Sequence, residues 1–153
     1  MEKIINDISD IVTSEINIIN EKVLGLNFLE LLKNNLIEKL SPIVSKSTYP
    51  MKKIINFEKE IKENSRNIKI SINYFLNSLF ETKKTVSNDS LFFSFNENTS
   101  LDIFDYKKKS TSILLYKNTG ISIPKDTVIN KQCNKNLLLI EIINKEKEQI
   151  LTK

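Results

Sequence analysis

The residues of this sequence that could do chemistry are few, and their spacing favours no catalytic site. Ser122 and Lys125 stand three positions apart, which is the spacing of enzymes that pair a serine nucleophile with a lysine base. That mechanism needs the serine at the start of a helix, whereas here Pro124 lies between the two residues in a stretch typical of a strand. The chain contains no histidine, so neither a serine nor a cysteine nucleophile can use an imidazole base.

Carboxylates are the other candidate group, and they do not converge either. Asp102 and Asp105 would diverge on a strand, and Asp126 lies in a predicted turn. The single cysteine, Cys133, excludes a disulfide within the chain and a zinc site built from cysteines. Two isolated glycines cannot form a nucleotide-binding glycine loop. We therefore predict no catalytic residue, no metal ligand and no cofactor, and a protein that is not an enzyme.

The best candidate for contact with a polyanion is a run of three lysines, Lys107, Lys108 and Lys109. The run follows Tyr106 and would stand opposite Tyr116 in a hairpin, so that lysines follow phosphates while a ring stacks on a base. Groove recognition relies more on arginine, and the chain has only Arg66. An ordinary solvated turn is the alternative interpretation of these lysines and the one that we favour.

The elements that would position these residues begin with two amphipathic helices. From Asn27 onward apolar residues recur every four positions, and Asn27 with Glu30 suits the start of a helix. The helix is predicted to end before Pro42, because proline disfavours the helical conformation of the preceding residue. Residues 3–20 show the same helical spacing, which predicts an αα-hairpin.

The apolar stripe of this hairpin is wider than one partner helix can cover, so either the β half or another subunit must cover the rest. The residues of the stripe would be divided between the core and a protein interface. Nine of them form the candidate interface: Ile4, Ile8, Ile11, Ile16, Phe28, Leu29, Leu32, Leu36 and Leu40.

The rest of the chain has mostly the pattern of strands. Residues 51–64 and 67–80 fit either a helix or a strand, with a strand favoured up to Phe57. Further strands are predicted at residues 91–95, 101–106, 111–117 and 136–143, the last one central and covered on both faces. Polar turns at residues 96–100, 107–110 and 117–120 suit antiparallel hairpins, and residues 121–129 predict a short strand interrupted by Pro124.

These patterns predict an α+β protein, with an N-terminal αα-hairpin followed by a mostly antiparallel β-sheet of about four to six strands. The predicted division is a helical hairpin at residues 1–41, a proline-bounded connector at 42–66 and a β-rich body at 67–153, together one compact unit.

Composition restricts the class of protein further. Of the 153 residues, 40% are hydrophobic and 27% are charged, as in folded soluble proteins, and the richness in lysine, asparagine and isoleucine is typical of an A/T-rich genome. Residues 1–41 carry four lysines against seven acids, a net of −3, and residues 66–153 carry fourteen basic residues against nine acids, a net of +5. No apolar run is long enough to span a membrane and the first residues lack the apolar core of a signal peptide, so we predict a cytoplasmic location.

Two segments resemble the baseplate subunits of contractile injection machines: residues 40–58, LSPIVSKSTYPMKKIINFE, and residues 120–129, GISIPKDTVI. In type VI secretion and phage-tail baseplate families, a helix with a proline-containing link precedes a β-region with an IP-x-x-T turn. Asp126 stands where that turn has a glycine. The resemblance implies a component of a phage-tail-like or secretion machine.

The function that these observations favour is a non-enzymatic structural or interaction subunit of a multiprotein assembly. It would bind other protein subunits, in a homo- or hetero-oligomer, through its amphipathic N-terminal helices. The alternative is a small basic nucleic-acid-binding module that uses the lysines of the β half. A carboxylate-based hydrolase is a third class, for which the sequence locates no site.

Overall fold

A computed structural model describes residues 2–19, 26–44, 53–63, 66–76, 83–95, 98–104, 107–131 and 136–144. These residues form two helices, α1 (Glu2–Ile18) and α2 (Leu26–Val44), followed by nine strands. The strands are β1 (Lys53–Glu63), β2 (Arg66–Leu76), β3 (Lys84–Thr85), β4 (Ser90–Ser94), β5 (Thr99–Phe104), β6 (Ser110–Leu115), β7 (Thr119–Ile123), β8 (Val128–Asn130) and β9 (Leu137–Asn144).

The strands form two antiparallel sheets, one of five strands in the order β1-β2-β9-β4-β7 and one of four in the order β3-β8-β5-β6. The two helices pack on one face of the five-stranded sheet, and the four-stranded sheet packs on its other face. The predicted α+β class, with a helical hairpin followed by antiparallel strands, is confirmed. The second sheet adds a layer that the sequence did not predict.

The two segments that fitted both helix and strand are strands where the structure describes them. In β2, Ile68, Ile70 and Ile72 are fully buried beneath the helices, while the residues between them face the other side of the sheet. Such strict alternation is what one solvated or polar face requires. β1 pairs with β2 along its whole length and extends to Glu63, beyond the predicted limit at Phe57.

β9 is the middle strand of the five-stranded sheet, as its nearly continuous apolar sequence predicted. Leu138 and Ile140 pack under the helices, whereas Leu137 and Leu139 pack between the two sheets. Because both faces of the strand are covered, apolar residues are needed at successive positions and the usual alternation is lost.

The second helix does not end where the sequence predicted. Pro42 lies inside α2, which continues to Val44. A proline in the last turn removes only one helical hydrogen bond, since its ring replaces a single backbone N–H. The side chain of Val44 is 1% exposed and joins the core, so its burial offsets that loss. The prediction that the helix stops before Pro42 was therefore wrong.

Only one of the three predicted hairpin turns joins paired strands. Residues 107–110 connect β5 to β6, which pair from Phe104–Ser110 to Thr99–Leu115. Residues 96–100 and 117–120 instead link strands of different sheets, so those two hairpin predictions were wrong. β4 already pairs with β9 on one side and with β7 on the other, and this leaves no edge on which β5 could form a hairpin with it.

Candidate functional site

The nine residues predicted to form a protein interface lie mostly inside this chain. Eight of them are buried in the core between the helices and the five-stranded sheet, and Ile11 is partly buried against the same core. Ile8, Leu32, Leu36 and Leu40 have no exposed surface. Of the two coverings that the sequence left open, the β half is the one that the structure shows.

An ion pair between a buried carboxylate and a half-exposed lysine also joins the two helices. Glu15 on α1 is 2% exposed, and its Oε1 pairs with the Nζ of Lys39 on α2. The hydroxyl of Ser9, also on α1, is buried and has no hydrogen-bond partner among the described residues. The inner side of the hairpin is thus mainly apolar and includes one charged contact, which is typical of a structural core.

The sheet edges are a different kind of surface, because an edge strand presents unpaired backbone groups. Three of the four edge strands are protected. β1 has charged side chains at six of its eleven positions, and β3 has only two residues. β7 packs beside α2, where the Cγ of Lys33 would lie 3.3 Å from a Cβ placed on Gly120.

β6 is the edge strand without such protection. It pairs with β5 on one side, and no other described strand pairs with its second side. Its sequence, STSILL, contains no charged residue and no proline. Leu114 is 49% exposed, and Tyr116, directly after the strand, is 61% exposed. An uncharged edge that none of the described strands covers can accept a further strand through its backbone groups.

The sequence predicted the strand but not its position at an edge. Residues on the inner face of β6 reach the core between the sheets, where Leu115 packs near Leu101. The side chain of Leu114 lies on the opposite, outer face of the strand and is exposed. One signal was available, because lysines flank the uncharged stretch at both ends, at Lys109 and Lys117, as residues that limit aggregation often do.

The three lysines of the polyanion candidate are exposed in the turn between β5 and β6. Lys108 has a positive φ of 63° and lines a cavity of about 280 Å³ together with Lys83, Phe104 and Val128. The Nζ of Lys83 lies 4.1 Å from the centre of the Phe104 ring, a cation–π contact.

Tyr116 is not opposite these lysines. The β5–β6 register pairs Thr99 with Leu115, so Tyr116 lies at the far end of the hairpin, about 20 Å from the turn at 3.4 Å per residue. The prediction that Tyr116 faces the lysine run was wrong, because the six paired residues of each strand separate them. Tyr106 lies outside the described residues.

The residues with possible catalytic chemistry are apart from one another. Ser122 lies within β7, and the exposed Lys125 lies in the turn that follows, where its backbone N–H donates to the Oδ1 of Asp89 at 3.1 Å. Asp102 accepts a hydrogen bond of 2.7 Å from the hydroxyl of Ser112 across the hairpin. Asp105 and Cys133 lie outside the described residues.

The described part of the chain offers neither a metal site nor a membrane-spanning helix. It contains no group of three or more acidic or cysteine side chains that could hold a metal ion. Neither of its two helices is both long and apolar enough to cross a membrane.

Comparison with known proteins finds no matching family model and no matching curated protein. Among solved structures, the EutQ protein of Clostridium difficile is similar with a TM-score of 0.42 and 16% identity, covering 62% of this chain and 70% of its own. Oxalate decarboxylase of Lactobacillus farciminis has a TM-score of 0.43 and 10% identity, over 64% of this chain and 30% of its own. For the pro-11S globulin of pumpkin the TM-score is 0.44 and the identity 15%, over 64% and 27%. Similarity at this level assigns neither a family nor a function.

Proposed function

We propose that this chain is a non-enzymatic interaction subunit that joins a multiprotein assembly by extending its four-stranded sheet at β6. The observation that carries the proposal is the second side of that strand, with which no strand in the described part of the chain pairs. The strand has six uncharged residues and an exposed Leu114. Backbone pairing with an added strand supplies affinity, and the side chains beside it supply specificity.

This proposal moves the docking element from the helices to the sheet edge. The sequence favoured the helices because their apolar stripe had no obvious cover, and that stripe is the core of this chain. The largest exposed apolar side chains on the helices are Ile18 and Leu31, which stand on different helices. Single exposed apolar residues are normal on a folded surface and do not form an interface by themselves.

We also propose that the chain is not an enzyme. The reasons are the missing histidine and the position of Ser122 within a strand, where no helix start activates the serine. The resemblance noted in the sequence makes baseplate subunits the first partners to test. The cytoplasmic location stays a prediction from the sequence.

The test is capture of partners from the native host with three forms of the tagged chain: the unchanged protein, Leu114→Lys and Leu31→Lys. A lysine on an edge strand discourages pairing with a further strand. Leu31 is 45% exposed on α2 and is thus a matched control for Leu114, which is 49% exposed. We expect quantitative mass spectrometry to show partners that Leu114→Lys loses and Leu31→Lys retains. Identical partner sets for all three forms would contradict the proposal.

A second candidate function, binding of a polyanion, is favoured by one observation. Lys108 lies with Lys83 and Phe104 around the same cavity, so cationic and aromatic groups meet at this end of the sheet. If the three turn lysines contact phosphates of single-stranded nucleic acid, their change to glutamine should reduce the slope of log K against log salt by about 2.

The control is a triple glutamine variant with the same loss of charge at exposed positions elsewhere, at Lys3, Lys62 and Lys125. It should leave that slope unchanged. No retention of the unchanged protein on a polyanion column at low salt would eliminate this candidate.

A further inference from the structure

We infer that the strand added to β6 is the β6 of a second copy of this chain, antiparallel to the first about a twofold axis. Two four-stranded sheets would then become one sheet of eight strands. The inference rests on the proposed function, since it names the partner of the same strand edge.

The charges of the sheet edges favour this partner. If β6 paired with β1 of another copy, a strand with charged residues at six of eleven positions would lie against an uncharged one. That head-to-tail contact would also leave a free β6 and a free β1 at its ends, and it would close only if several copies formed a ring. β6 against β6 brings together two uncharged strands, uses the same surface on both copies and closes as a dimer.

Geometry restricts the register of such a pair. A twofold axis between two antiparallel strands is perpendicular to the sheet, so residues directly opposite each other lie on the same face. Ser112, Leu114 and Tyr116 alternate with the inner-face residues Ile113 and Leu115. In an acceptable register, outer-face residues of one copy lie opposite outer-face residues of the other. Only then does the inner face of each sheet stay packed on its own core.

The flanking lysines select among these registers. If Ile113 met its own symmetry copy, Lys109 would stand opposite Lys117 twice, and like charges directly opposite destabilise a sheet. If Leu114 meets its own copy, Lys117 stands opposite Thr111 instead. This register also places Tyr116 opposite Ser112 on the outer face, with the two leucines between the two tyrosines. The lysines also exclude an axis at Ser112, which would bring Lys107 opposite Lys117. Of the registers that remain, the one centred on Leu114 brings the two exposed Leu114 side chains together, so we assign Leu114 to the twofold axis.

The size of the contact sets the expected strength of the dimer. A standard stable interface buries about 800 Å² per partner. The contact here is smaller, because with Leu114 on the axis only residues 113–115 of β6 lie opposite β6 of the other copy. We therefore expect a reversible dimer, visible at protein concentrations on the order of 100 μM. In sedimentation velocity, Leu114→Lys should raise its dissociation constant about tenfold or more, and Leu31→Lys should leave it unchanged.

Cysteine cross-linking tests the register, in a background with Cys133→Ser. Residues opposite each other have Cβ atoms about 5 Å apart, within reach of a disulfide. Leu114→Cys should thus give a disulfide-linked dimer on mild oxidation. Ser112→Cys should not, because its copy would lie four residues away, about 13 Å along the strands. Rapid cross-linking of Ser112→Cys without Leu114→Cys would overturn the register.

The two proposals fail separately. A chain that is monomeric throughout the concentration series overturns the pairing of two copies, whatever the host proteins do. If the host still supplies partners that Leu114→Lys loses, the proposed function stands and the added strand belongs to another protein.

Discussion

Replacement of Gly120 by alanine is expected to destabilise the protein, although glycine is ordinarily a poor strand residue. Gly120 lies directly opposite Phe93 in the β4–β7 ladder. A Cβ at this position would lie 2.7 Å from Cδ1 and 2.8 Å from Cε1 of that ring. Phe93 has no exposed surface and stacks on Phe95, with 5.7 Å between the ring centres, so the ring has little room to move.

The expected magnitude follows from two opposing effects. Overpacking a filled core costs about 1–3 kcal/mol, because side chains or backbone must shift. Alanine restricts the unfolded chain more than glycine does, which returns about 0.4–1 kcal/mol. From the middle of each range, the net loss for Gly120→Ala is about 1.3 kcal/mol in the free energy of unfolding. For a domain of this size that is a fall in Tm of about 3–5 °C.

Urea unfolding of four proteins measures this effect: the unchanged chain, Gly120→Ala, Phe93→Leu and the double variant. In the Phe93→Leu background the obstructing ring is gone, so Gly120→Ala should cost nothing or stabilise slightly. The coupling between the two positions should then be on the order of 1 kcal/mol or more, as for residues in contact. A Gly120→Ala protein at least as stable as the unchanged chain would refute the reasoning.

The helical hairpin gives three further predictions, all measurable by chemical unfolding. Leu36→Ala should cost about 2–5 kcal/mol of stability, because the leucine side chain is fully buried. Leu31 is half exposed on the same helix, so Leu31→Ala should cost less than about 1 kcal/mol, and equal losses would contradict the burial. Lys39→Met should destabilise by about 1–2 kcal/mol, because it leaves the buried Glu15 carboxylate without its cation. Glu15→Gln should cost less, since the half-exposed lysine that it leaves can be solvated by water, and the reverse order would contradict this. Ser9→Ala should be neutral or stabilise by up to about 1 kcal/mol, because it removes a buried hydroxyl with no hydrogen-bond partner in the described ranges. A clear loss of stability would show that the hydroxyl is bonded.

Local patterns were sufficient to predict much of the fold. The helical spacing of α1 and α2 and the continuous apolar run of β9 depend on the period of each element and on its burial, both of which the sequence contains. The ambiguity of β2 had a physical origin too, because residues 68–79 place apolar side chains at positions that suit both a helix and a strand.

What the sequence could not supply was the arrangement of elements relative to one another. The apolar stripe on the helices has the same sequence pattern whether another subunit or the chain's own sheet covers it. The turn at residues 117–120 looks like a hairpin turn in the sequence. The structure shows that it carries the chain to the other sheet, because β7 pairs with β4 and places Gly120 opposite Phe93. The end of α2 was missed because the core contact of Val44 is a long-range effect.

The distribution of charge along β6 supports an edge that pairs with a further strand, rather than an edge that stays unpaired in solution. A strand that must avoid partners usually carries charge within its length, as β1 does. In β6 the positive charges stand outside the strand, at Lys109 and Lys117, and the six residues between Lys109 and Tyr116 are neutral. Lysines in these places do not prevent pairing, but they penalise the registers that bring them together. Lys109, one of the three lysines that suggested a polyanion contact, therefore has a second role open to it, which is to select with Lys117 the alignment of an added strand.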